Sequence, residues 1–144
     1  MNDVAMTKSG YERIQDDSYF TIEEWCTEAI METVYKNTTR STVWEPACGE
    51  RHMANVIERY GFPVVCSDIS ERGYEDFVSD FTKEEKVYGD HIITNPPYEK
   101  KICEKFVRHA VKMIEDKKIQ SVSMLLRNEW DCAKGRKDLF ADNP

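Results

Sequence analysis

The chain has 144 residues, 40% of them hydrophobic and 33% charged, with a formal net charge of −7. That composition predicts one globular domain with a real core: the chain is too short for two ordinary domains and too apolar for a disordered one. The acidic balance argues against a general duplex-DNA binder, whose affinity comes largely from neutralised phosphates. No apolar run approaches the length of a bilayer span or a secretory signal, so a cytoplasmic protein without a membrane partner is expected.

In chain order, residues 1–18 are polar and aperiodic and read as a flexible arm, leaving 19–144 for the domain. Trp25, Cys26, Ala29, Ile30, Thr33 and Val34 recur at helical spacing and predict a helix from about Ile22 to Tyr35, opened by Thr21 ahead of Glu23 and Glu24. A first strand is expected at Thr42–Trp44, stopped by Pro46, and then a helix from His52 to Tyr60 closed by Gly61 and Pro63. Val64–Ser67 reads as a second strand ending at Asp68. Glu71 to Asp90 is turn-rich with a short strand near Phe77–Val78, and His91–Thr94 is the next strand. Ile102, Phe106, Val107, Ala110, Val111 and Ile114 mark one helix face, and Ser121–Leu126 another buried strand. Alternating strands and helices imply an α/β fold with a mostly parallel sheet covered on both faces. Trp25, Trp44 and Trp130 are expected in the core. The five scattered cysteines read as buried thiols, and the three histidines show no ligand spacing, so no metal is expected.

The segment with most chemistry is Asn95-Pro96-Pro97-Tyr98, which follows the apolar strand directly. Two prolines fix φ twice and remove two donors, so the strand stops in a stiff corner at its carboxyl end, where α/β sheets place ligands. The Asn95 side-chain oxygen and the Pro96 carbonyl can accept hydrogen bonds from a planar amine, and Tyr98 can stack on the ring that carries it. Lys100, Lys101, Lys105, Arg108 and Lys112 follow closely enough to form a basic patch, or a solvated helix face.

Together with Glu45-Pro46-Ala47-Cys48-Gly49-Glu50-Arg51, the Asp68 that closes the second strand and the pair Asp80-Phe81, this corner resembles the S-adenosylmethionine-dependent methyltransferases. Within them it resembles the adenine-N6 DNA enzymes of phages and prophages, over about residues 19–142. The resemblance implies a Rossmann-like methyltransferase fold, here expected to lack its last strands, and S-adenosylmethionine as cofactor. It implies cofactor contacts at Thr21, Glu45, Ala47, Gly49, Asp68, Asp80 and Phe81, with Asn95, Pro96, Pro97 and Tyr98 at the reacting amine. The physical fit is that a strand-end carboxylate can hold a vicinal diol and a glycine lets the backbone approach a ligand. The implied reaction is methyl transfer to an exocyclic amine, adenine N6 of a DNA base extruded from its duplex; a protein glutamine amide, an RNA base, or an inactive binding or inhibitory protein are the alternatives. Arg51 stands where the family has a glycine and is expected to crowd the cofactor loop. Ile22 stands where the family has proline. An uncovered sheet edge is expected to be closed by a second copy or a partner subunit.

Overall fold

The computed structural model describes residues 21–130 and 134–141. The arm expected over residues 1–18 and Cys132 lie outside the described residues. Five strands form one parallel sheet: β1 (Val43–Glu45), β2 (Val64–Asp68), β3 (Phe77–Val78), β4 (His91–Thr94) and β5 (Ser121–Met124), in the spatial order β3-β2-β1-β4-β5. The helices are α1 (Glu24–Thr33), α2 (His52–Arg59), α3 (Lys100–Glu115) and the short α4 (Lys137–Ala141). Every strand was expected within two residues of where it lies. No helix of the described residues is long and apolar enough to cross a membrane.

β1 is the middle of the sheet, and all three of its residues are buried. Its alternation sorts the core into two layers. Val43 joins Ile93, Met31, Tyr35, Met53, Ile57 and Phe62 under α1 and α2. Trp44 joins Ile92, Phe81, Phe106, Ala110, Met113 and Ile119 under α3. The indole N–H of Trp44 is satisfied by the Ser67 hydroxyl at 3.0 Å, which lets so large a ring sit at zero exposure. β1 registers with Val64–Cys66 on one side and His91–Ile92 on the other, so the chain reverses its direction of growth between β1 and β4. In a parallel α/β sheet that reversal opens a crevice at the carboxyl ends of these two strands.

The helix faces differ in part from the sequence expectation. On α1 the buried positions are Thr27 and Met31, with Tyr35 just beyond, whereas Trp25 is 66% exposed and Ala29, Thr33 and Val34 lie outside the core. The buried stripe is rotated from the apolar one because the side of α1 that meets the core under Val43 carries Thr27 and Met31, which leaves the Trp25 indole on the solvent side. Trp25 is therefore not a core residue; Trp44 and Trp130 are. Thr21 does not cap α1 either: the cap position is Glu23, without a side-chain bond, and the Thr21 hydroxyl is engaged elsewhere. On α3 the buried set is Cys103, Phe106, Val107, Ala110 and Met113, and Ile102 and Ile114 are 41% and 39% exposed.

α3 starts cleanly because Glu99, two residues after the prolines, accepts the Ile102 N–H at 2.9 Å and places negative charge at the helix start. Cys26, Cys48, Cys66 and Cys103 are free thiols. A hydrogen bond with Cys48, together with burial, pushes the Cys66 thiol far up, so it stays protonated and inert.

Candidate functional site

At the end of β1 the chain folds back on itself through Glu45. Its Oε1 accepts the Ala47 N–H at 3.1 Å and the Thr94 hydroxyl of β4, while Oε2 receives no hydrogen bond among the described residues. The side chain is 1% exposed, and burial outweighs these two bonds, so its carboxyl is pushed up to about 8. The loop is pinned to β2 at two further points. The Cys48 N–H donates to the Ser67 carbonyl at 3.0 Å, and the Gly49 N–H to Asp68 Oδ2 at 2.9 Å. Gly49 sits at φ +52°, the left-handed region.

Arg51 does not crowd this loop. It takes φ +64° at the position before α2, the conformation for which a glycine is suited, and its guanidinium turns along α2 to Glu58. It lines neither of the cavities described below.

Asp68, 7% exposed, accepts one backbone N–H on each oxygen, from Gly49 and from Ser70 at 2.9 Å, with the Arg72 guanidinium 3.7 Å away. Each oxygen keeps acceptor capacity for one hydroxyl. Asp80 opens a 3-10 turn over Phe81–Lys83 and accepts both the Thr82 N–H and the Thr82 hydroxyl, at 3.0 and 2.7 Å. Burial pushes its carboxyl up, but these bonds and Lys83 outweigh that and hold it below the usual carboxylate value. Phe81 is nearly fully buried, edge-on to Trp44 at 5.2 Å and beside Phe106 at 4.7 Å.

Asn95 closes β4. It is 7% exposed, and its Nδ2 donates to the Thr21 hydroxyl at 2.8 Å, which fixes the plane of the amide. Pro96 is buried and Pro97 half-buried. Tyr98 carries the Arg127 guanidinium over its ring, 5.6 Å from the centroid.

These strand ends enclose two adjoining spaces. The smaller, about 20 Å³, lies among Thr21, Glu45, Ala47, Gly49, Met53 and Asn95. The larger, about 300 Å³, runs from Pro46, Ala47, Gly49 and Asn95 past Asp68 and Asp80 to Phe81, Pro97, Ile102 and Phe106. Ala47, Gly49 and Asn95 line both. All seven expected cofactor residues thus line one cavity or the other, together with Asn95 and Pro97. Pro96 and Tyr98 line neither. Sequence reasoning did not place Thr94, Ile69, Arg72, Ile102, Lys105 or Phe106 at the site. Ile102 and Phe106, one turn apart directly after the prolines, were the available signal, although they read as core.

The cavity chemistry fits an adenosyl amino acid. A buried carboxyl and a hydroxyl line the small cavity, and a strand-end carboxylate suited to a diol lines the large one together with the apolar side chains Ile69, Phe81, Ile102 and Phe106.

No protein-family model matches the sequence, and no curated protein does. Among solved structures, the chain superposes on a proposed RNA methyltransferase from Pyrococcus horikoshii with a TM-score of 0.60 at 13% identity, over 81% of this chain and 65% of that one. It superposes on a Thermoplasma acidophilum protein with a TM-score of 0.52 at 18% identity, over 81% and 67% of the two chains. The chain thus spans 65% of the length of the Pyrococcus protein. What is shared at such identities is architecture: the chain has the Rossmann-like α/β fold of these structures.

Proposed function

We propose that this chain transfers a methyl group from S-adenosylmethionine to an exocyclic amine, adenine N6 in DNA. The observation that carries the reading is the placement of Asn95. Its amide is immobilised by Thr21 on the wall shared by the two cavities, at the end of the central part of the sheet.

S-adenosylmethionine, when bound, supplies an electrophilic methyl group on a sulfonium. Glu45 and Thr21 would hold its amino-acid end, Asp68 its ribose hydroxyls, and Asp80, Ile69 and Phe81 its base. The corner acts on the nucleophile. With Nδ2 committed to Thr21, Asn95 presents Oδ1 as an acceptor for one amine proton, and the carbonyl of Pro96, the next residue, would take the other. Accepting hydrogen bonds from both protons favours a tetrahedral nitrogen with its lone pair localised, so the barrier falls without a separate strong base, and the surplus proton of the methylated, cationic nitrogen passes to water after the transfer. The rigid prolines keep that geometry fixed before the target arrives.

Labelled S-adenosylmethionine and unmethylated DNA, with RNA and bulk protein as parallel acceptors, test the reading. Wild-type protein is expected to label DNA, and Asn95→Ala to lose about 100-fold or more of the rate, the usual loss when a positioned hydrogen-bonding group at the reacting centre is removed. Equal labelling by the two proteins overturns the proposal. Labelling of RNA or protein alone moves it to that substrate.

A further inference from the structure

Four cations flank the proline corner, and among the described residues none of them is held in an ion pair: Lys100, Lys101 and Lys105 on α3, and Arg127 beyond β5. The next cations along α3 and at the cavity rim are committed. Arg108 is bound to Glu104 and Asp138, Lys112 to Asp116, and Lys83 lies against Asp80. Three carboxylates stand near the group in sequence: Glu99 accepts the Ile102 N–H and is also held below its usual value by the charges of Lys101 and Lys105, Glu104 is bound to Arg108 and Arg136, and Glu129 follows Arg127 by two residues. Lys105 stands at the rim of the larger cavity. Arg127 is exposed, yet instead of a carboxylate it sits on the Tyr98 ring.

A planar delocalised cation held over an aromatic face occupies space that a nucleobase stacking on that ring would need. We propose that Arg127 is a placeholder on Tyr98, displaced by the target ring, and that it then joins Lys100 and Lys101 in holding the phosphates beside the target nucleotide of a single-stranded nucleic acid. A single strand suits the site better than a duplex, because four charges on an acidic protein make a short ledge and an unstacked base needs no extrusion. The inference rests on the proposed function for the identity of the target ring. The phosphate ledge is argued from charge placement alone.

The full chain is tested against labelled single-stranded DNA and single-stranded RNA containing adenine, over a salt series, and against 9-methyladenine, which has no phosphate. S-adenosylhomocysteine is kept in excess throughout. Lys100→Gln combined with Lys101→Gln is expected to weaken both strands about tenfold and to flatten the slope of log affinity against log salt by about 1.4, two charges at about 0.7 each. Arg127→Ala is expected to weaken the strands but to bind 9-methyladenine about threefold more tightly, since the competing cation–π contact is gone. The opposite signs are the signature of a placeholder. An unchanged salt slope in the lysine variant, or a shift of strand and base in the same direction in Arg127→Ala, overturns the proposal. A preference between the two strands identifies the source of the phosphates. Calorimetry with S-adenosylhomocysteine separates the two readings. Heat without strand binding overturns the ledge and leaves the proposed function standing, and strand binding with these variant effects but no heat does the reverse.

Discussion

Glu45 shows most directly how the site is built. A carboxyl at the end of the central strand is forced into a dry position by Pro46 and the returning loop, so in the folded chain it keeps a proton that the unfolded chain releases near its ordinary value of 4.5. Because the folded value is the higher one, near 8, the stability contribution is complete below about pH 4.5 and is lost as pH rises toward 8. Urea denaturation between about pH 5 and about pH 8 should show the wild type losing on the order of 3 kcal/mol relative to Glu45→Gln, in which the buried His91, held below its usual value, makes stability rise with pH instead. Parallel profiles would show that Glu45 is ionised throughout. If the proposed function holds, the same buried carboxyl loses its proton on meeting the cationic amine of S-adenosylmethionine, so the binding heat below about pH 8 should depend on the ionisation enthalpy of the buffer, and in Glu45→Gln it should not. Arg51 gives a contrasting case. Its positive φ is strained for a side chain, and its surface ion pair with Glu58 contributes little. Arg51→Gly relieves the strain but adds unfolded-state entropy, so its stability should change by less than about 1 kcal/mol. Arg51→Val, β-branched in the left-handed region, should lose about 2 kcal/mol by thermal denaturation. S-adenosylhomocysteine affinity should stay unchanged in Arg51→Gly, because the side chain faces neither cavity.

Elements were legible where a local signal fixed them. Proline ended β1 and β4, Gly61 at φ +89° and Pro63 ended α2, and the apolar runs gave each strand its place. Helix faces were less legible, because which side of α1 or α3 is buried depends on the shape of the sheet beneath it. Close approaches between elements were invisible. Gly89 precedes β4 at a point where a Cβ would lie 2.9 Å from both the Thr42 carbonyl oxygen and the Trp44 amide nitrogen of the neighbouring strand. Gly89→Ala must push backbone apart, and a loss of about 2 kcal/mol or more is expected by chemical denaturation. A polar network was equally hidden: the Tyr35 hydroxyl meets Ser121 and Ser123 at 3.0 and 2.9 Å, and His91 bridges Ser121 and Ser41. Burial holds the His91 imidazole below its usual value against the opposing charge of Asp90. Tyr35→Phe should cost about 1–2 kcal/mol, the worth of two partly buried hydrogen bonds.

Across the whole molecule, β5 ends the sheet among the described residues, and its four residues are only half-buried. A strand with unpaired groups along one side invites pairing with another chain, so sedimentation over a concentration series is expected to show reversible self-association. A single species at all concentrations would show that the edge is protected. The sequence by itself determined the parallel α/β class, the order of elements and the four motifs at the strand ends, because prolines, glycines and apolar alternation act within a few residues of themselves. Only the tertiary structure decided that Thr21 holds Asn95 rather than capping α1, that Arg51 turns away from the loop after β1, and that Arg127 lies over Tyr98. The first and last of those contacts join residues that the chain separates and the sheet brings together, and no local pattern encodes the distance between them; the Arg51–Glu58 pair lies along α2, and what aims it is the left-handed backbone of Arg51.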